Sequence, residues 1–216
     1  MLGSRGATAS AATAAIAVGA MSAYILPTTF PDEGGPTGLD RVIAEPIHST
    51  LDAHRGIAEV LVVVSNAYVL LPLLVLGCVW FAARREFVRA ALMLVAPELV
   101  VAINTWLLKP LWDRRLHDYL AYPSGHTVHL VAIVTAFVVL ARTPGARWSV
   151  LVMGIICFLA AAIGMIALDY HFPTDILGGA AAAIALTTAL CVGAEKLHTE
   201  KTRKVGRQHR RPTATG

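Results

Sequence analysis

The sequence predicts an all-α fold, a polytopic membrane protein built as a six-transmembrane-helix bundle. Three observations predict it. Hydrophobic residues make up 56% of the 216-residue chain and charged residues only 15%, against roughly a quarter charged in an average soluble chain. Mean hydropathy is +0.63. The apolar residues also fall in six long blocks, at residues 8–26, 57–82, 88–108, 126–142, 148–168 and 176–194. A helix crosses a bilayer with about 20 apolar residues, and a chain in lipid must satisfy its backbone groups internally, so such blocks are helices.

The first block follows a single basic residue, Arg5, and is rich in Ala. That is also the make-up of a secretory signal peptide, but the run is long enough to span and lacks a good small-x-small cleavage site. Pro27–Gly56 is rich in Pro, Gly and acid (Asp32, Glu33, Asp40, Glu45, Asp52). Its early part reads as turn and linker, and Leu39–Arg55 as a short interfacial helix. Cys78, Cys157 and Cys191 all fall inside apolar blocks, where they read as small packing residues. They suggest neither a disulfide framework nor a metal site. No internal repeat or second domain is visible. Residues 1–194 are expected to form one transmembrane domain, and 195–216 a disordered basic tail.

Lysine and arginine favour cytoplasmic segments. With both termini inside, the inner segments hold Arg5, the Arg84/Arg85/Arg89 cluster, Arg142, Arg147 and the tail bases Lys196, Lys201, Arg203, Lys204, Arg207, Arg210 and Arg211. The outer segments hold Arg41, Arg55, Lys109, Arg114 and Arg115. The opposite orientation would reverse this excess. The tail supplies most of the formal net charge of +4. No aromatic residue interleaves its bases, so it reads as attracted to anionic lipid headgroups rather than to nucleic acid. Ala-rich spans with a basic tail suggest the plasma membrane of a high-GC bacterium.

Three polar clusters then fall on the outer side: Lys109-Pro-Leu-Trp-Asp-Arg-Arg115, Pro123-Ser-Gly-His126 and His171-Phe-Pro-Thr-Asp175. In the second, Ser124 is a natural helix N-cap and Gly125 lets a ligand approach the backbone. The free N–H groups and helix dipole there attract an anion such as phosphate, with His126 in the first turn to exchange a proton. His171 and Asp175 are four residues apart, so one helical turn brings the carboxylate to the imidazole. A carboxylate on one ring nitrogen leaves the other free to attack. Lys109, Arg114 and Arg115 offer positive charge to phosphoryl oxygens. Singly, each cluster fits an interfacial polar group, a helix start or a headgroup contact. Their convergence on one face is what points to chemistry.

These residues resemble the type-2 phosphatidic acid phosphatase (lipid phosphate phosphatase) family. The resemblance runs from about Asn104 to Gly179 and rests on Lys109, the complete Pro123-Ser124-Gly125-His126, and His171-x-x-x-Asp175 followed by Ile176-Leu177-Gly178-Gly179. Arg114 stands where many members carry an extra arginine. Two motif positions depart: the family's Arg-Pro is Leu116-His117 here, with Arg115 one place early, and its Ser-Arg is Gly164-Met165. The resemblance implies metal-free, cofactor-free phosphoryl transfer from a lipid phosphate or pyrophosphate. His171 is the nucleophile, Asp175 its partner and His126 the acid and base. Lys109, Arg114 or Arg115, and the Ser124–Gly125 backbone hold the phosphoryl oxygens. A lipid phosphotransferase and a lipid-phosphate-binding protein with a degenerate site are the alternatives. Outside the motifs, His129 reads as a polar residue lining the bundle and Glu98 as facing its interior. Asp169 and Tyr170 flank the pocket, Asp113 and Asp118 are partners for Arg114 or Arg115, and Gly178 and Gly179 serve close helix packing.

Overall fold

The computed structural model describes residues 2–208. Helix α1 (Leu2–Ile25) leads through a short 3-10 turn and a Pro/Gly-rich loop to α2 (Gly38–Leu51). Next come α3 (Arg55–Val63), α4 (Ala67–Ala83) and α5 (Phe87–Ile103), which passes through a π turn (Asn104–Leu108) into α6 (Lys109–Trp112). A small hairpin of β1 (Arg115–Leu116) and β2 (Tyr119–Leu120) precedes α7 (Gly125–Leu140), α8 (Pro144–Ala167) and α9 (Pro173–Gln208). Among the described residues the fold is all-α apart from that hairpin.

Among the described residues, five segments are long and apolar enough to cross a membrane: Ser10–Thr29, Gly38–Ala83, Phe87–Trp112, Pro144–Ala167 and Pro173–Lys204. The fourth predicted block is the exception. It forms α7, an apolar helix of only 16 residues, about 24 Å long against a hydrocarbon core of about 30 Å. Its position explains this. Helix α7 packs against α5, α8 and α9, and Val128, Ala132, Ala136 and Leu140 are completely buried. A helix walled by protein has little lipid to match.

Small residues bring the helices together. A Cβ on Gly19 of α1 would lie 2.6 Å from the Ala181 carbonyl oxygen of α9. One on Gly164 of α8 would lie 2.7 Å from Ala58 O and 2.8 Å from Val62 N of α3, so backbone meets backbone at both crossings.

Residues 57–82, predicted as a single span, fall in two helices, α3 and α4. The Ser65 and Asn66 N–H groups close α3 onto Val62 O and Val63 O. Asn66 is extended (φ −75°, ψ 147°), and α4 starts afresh after it.

Two further expectations meet the structure. Helix α2 forms within Leu39–Arg55, where a short helix was expected, and a capping box starts it: Thr37 Oγ1 accepts from Asp40 N, and Asp40 Oδ2 accepts from Thr37 N. The tail expected to be disordered from residue 195 is instead helical to Gln208 as part of α9. Glu200 and Lys204 are spaced one turn apart, which favours helix, and Glu195 accepts from Arg89 Nε at 2.7 Å. The remaining tail residues, 209–216, lie outside the described residues.

Candidate active site

The loop before α7 closes on a helix N-terminus built by its own sequence. Ser124 is the N-cap, its Oγ accepting from Thr127 N at 3.5 Å and Thr127 Oγ1 at 3.2 Å. Its own hydroxyl hydrogen points to Met165 Sδ at 3.8 Å, and its N–H donates to Asp175 O at 3.0 Å. Ser124 is completely buried, so its side chain serves the helix and not the cavity. The N–H groups of Gly125 and His126 are left without an acceptor. A side chain at Gly125 would meet nothing within 4 Å.

Asp175 arrives in the first turn of α9. Its Oδ2 accepts from the Phe172 N–H at 3.0 Å, reaching back over the turn as an N3 carboxylate does. His171 lies two residues before the helix rather than on it. The one-turn spacing therefore works through this cap, and the His171 Nδ1 to Asp175 Oδ2 distance is 3.9 Å. That is beyond hydrogen-bond length. His171 is 6% exposed and its Nδ1 has no hydrogen-bond partner.

His126 and His171 face one another with ring centroids 6.3 Å apart and planes at 70°. Both line a cavity of about 500 Å³ with Lys109, Tyr119, Gly125, His129, Tyr170, Ser65 and Ala67. The π turn carries the chain into Lys109; π turns are frequent at functional sites. Asn104 within it is buried and donates to Pro123 O at 3.3 Å. Lys109 Nζ donates to Leu120 O. Tyr119 donates its phenol to Tyr170 O. Burial, then the Asp175 charge, pushes that phenol up from its ordinary value, so it stays protonated at neutral pH. Among the described residues no cluster of His, Cys, Asp or Glu could hold a metal ion.

The two arginines expected at the phosphate lie elsewhere, for opposite reasons. Asp113 adopts a left-handed conformation (φ 43°) that ends α6, and Arg114 links it to β1, which Arg115 opens. Arg115 points out, with 65% side-chain exposure, and pairs with Asp113 at 3.3 Å. Arg114 points in, with 1% side-chain exposure. All five of its N–H donors are occupied within the protein. Nε donates to Gly34 O (3.2 Å), one terminal nitrogen to Thr174 Oγ1 and Asp175 Oδ1 (both 2.7 Å), and the other to Gly35 O (2.8 Å) and Asp40 Oδ2 (3.1 Å). Phe30 and Phe172 cover the guanidinium, their ring centroids 3.9 and 4.5 Å away. It has no donor left for a phosphate.

Asp40 was visible in the sequence only as one acid of an acidic loop. It is buried, and beyond capping α2 it accepts from Thr174 N (2.8 Å) and Thr174 Oγ1 (3.1 Å). It thus caps α9 from 134 residues away in the chain. The spacing Thr37-x-x-Asp40 signals the first role; nothing local signals the second. His129 lines the cavity and bonds Glu98 at 3.0 Å through Nε2, linking α7 to α5. Gly178 and Gly179 let α9 touch the loop before α7: a Cβ there would come within 2.1 Å of the Tyr122 ring or 2.9 Å of Ser124 O.

No curated protein and no solved structure matches the chain. A family model does match, over the stretch that contains every motif described above, and residues 97–198 are a PAP2 superfamily domain.

Proposed function

We propose that this protein is an integral-membrane lipid phosphatase, releasing phosphate from a lipid phosphate or pyrophosphate of polyprenyl or phosphatidyl type. The PAP2 domain implies a phosphatase-type fold acting on phosphate esters, and its members are typically metal-independent. The observation that carries the reading is the pair of opposed imidazoles, His126 and His171, in one cavity with Lys109, and with Asp175 behind the second ring.

In this reading Asp175 faces Nδ1 of His171 and leaves Nε2 to attack phosphorus in line. A movement of about 1 Å brings the 3.9 Å contact to hydrogen-bond length, a tightening expected when substrate binds. As the P–N bond forms, the bond from phosphorus to the lipid oxygen breaks, and protonated His126 gives its proton to that oxygen. Water then loses a proton to His126 and attacks the phosphohistidine. The P–N bond breaks, phosphate leaves, and His126 is protonated again. Lys109 and the free N–H groups of Gly125 and His126 steady the phosphoryl oxygens.

Six spans, counting α7 and taking α3 with α4 as one, put the site on the extracytoplasmic face and both termini in the cytoplasm, as the distribution of basic residues favours. A bacterial plasma membrane fits the composition.

The test is phosphate release by detergent-solubilised protein across a panel of lipid phosphates and pyrophosphates with EDTA present, beside His171→Ala. Release that persists with EDTA and vanishes in the variant supports the reading. If the folded protein binds phosphate analogues but releases none from any lipid, it is instead a binder or a transferase. The burial of Met165 at a motif position and the outward turn of Arg115 favour that second reading.

A further inference from the structure

The cavity is poor in fixed positive charge. Among the described residues, Lys109 is the one permanently basic side chain lining it. Arg114 is fully occupied, Arg115 points away, and Met165 is buried against Ser124. A further cation there has to be an imidazolium, and the cavity is lined by His126, His171 and His129. The proposed chemistry uses the first two and leaves His129 without a role.

His129 follows His126 by three residues on α7, so the two share a face. It lies about 4.5 Å farther along the helix axis. Helix α7 starts at the site and runs into the bundle, which places His129 on the membrane side of His126. Its Nε2 meets Glu98 Oε1 at 3.0 Å, and its side chain is largely buried. Glu98 belongs to α5, near the middle of the apolar segment Phe87–Trp112. Among the described residues His129 is its one ion-pair partner. An ionisable residue at that depth is costly and marks function by default. Joining α5 to α7 does not require it, because Val100, Val128 and Ala132 already form a buried cluster between the two helices. With Glu98 on Nε2 and an oxyanion on Nδ1, each ring nitrogen would face an acceptor. That is the partner set of an imidazolium, which donates from both.

We propose that His129, backed by Glu98, is a specificity-determining subsite for a lipid diphosphate and binds the ester-linked phosphoryl group through Nδ1. A lipid diphosphate carries its terminal phosphoryl group away from the bilayer and the ester-linked one nearer to it, the order in which His126 and His129 stand. The inference rests on the phosphatase reading for the bond that breaks. His171 attacks the terminal phosphorus, the bond from that phosphorus to the bridging oxygen breaks, and the lipid monophosphate leaves with the proton of His126. Water then hydrolyses the phosphohistidine as before. A monophosphate presents only carbon to His129 and gains nothing from it.

The test compares farnesyl diphosphate with farnesyl monophosphate, two substrates that share one chain, in the full-length detergent-solubilised protein. Two variants accompany the wild type. His129→Phe keeps a ring and removes both nitrogens; Glu98→Gln keeps an acceptor for Nε2 and removes the charge. Measured beside kcat/KM are the thermal midpoint and the Kd values of methylenediphosphonate and orthophosphate by titration calorimetry. The wild type is expected to favour the diphosphate and to bind methylenediphosphonate more tightly than orthophosphate. In His129→Phe both preferences should fall by about tenfold, the loss of one hydrogen bond to a charged group. Glu98→Gln should lower them severalfold, and it decides alone if His129→Phe does not fold.

Preferences that survive in the folded variants overturn the proposal and leave a hydrolysing wild type a phosphatase. Equal losses on both substrates together with a lower midpoint also overturn it, since they make the pair a helix tie. A wild type that hydrolyses neither substrate, yet prefers methylenediphosphonate until His129 is replaced, keeps the subsite and removes the hydrolase. A wild type that binds methylenediphosphonate no better than orthophosphate overturns the subsite outright.

Discussion

The two sides of the α9 N-terminus are built on opposite principles. Behind Asp175 lies a closed network in which Arg114, Asp40, Thr174 and the Gly34 and Gly35 carbonyls satisfy one another. In front of it, the cavity is lined by helix N–H groups without acceptors and by the His171 ring, whose Nδ1 stands 3.9 Å from Asp175 without a hydrogen bond. Unsatisfied buried polar groups cost free energy, so the molecule concentrates that cost where a ligand would remove it. The closed side keeps the open side in register, because Asp175 belongs to both.

The largest effect should come from the open side. His171→Ala is expected to lower phosphate release by on the order of 10³-fold or more with little change in the thermal midpoint, read by a phosphate assay beside a melting curve. Equal loss of stability would mean that His171 is structural.

The closed side should respond in stability first. Arg114→Ala leaves Asp40 and Asp175 buried and uncompensated, and removing one partner of a buried ion pair costs about 3–5 kcal/mol. The checking measurement is the melting curve in detergent. A variant that melts normally but binds vanadate more weakly would return Arg114 to the phosphate and undo the comparison.

Gly178→Ala sharpens the same boundary. Its methyl group would meet the Tyr122 ring at 2.1 Å, and overpacking of this kind costs about 1–3 kcal/mol. Tyr122 sits beside the α7 cap, so activity should fall along with stability. The smallest effect is expected at Arg115→Ala, an exposed ion pair contributing about 0–1 kcal/mol. Neither KM nor the midpoint should move measurably. A severalfold rise in KM would show that Arg115 swings into the cavity when substrate binds.

Much of this was readable before folding. Ser124 as a cap, Gly125 as an open approach and Asp175 as the partner of His171 depend on neighbours within four residues, and local chemistry encodes them. The apolar blocks announced the helices for the same reason. The expectation of one unbroken span at 57–82 overlooked Ser65-Asn66, two polar residues inside it that mark where α3 stops. The arginines were harder. Lys109, Arg114 and Arg115 looked equivalent because they share a charge, yet Arg114 follows the left-handed Asp113 and turns inward, while Arg115 opens β1 and turns out.

The sequence by itself determined the long apolar helices and singled out His126, His171 and Asp175 as candidates, since each follows from composition or from spacing along a few residues. Tertiary structure alone decided what Arg114 and Asp40 do, and that the start of α4 lines the cavity. Arg114 meets Asp175 across 61 residues and Asp40 across 74. Contacts at such separation come from how helices pack, and no local pattern of residue types records them.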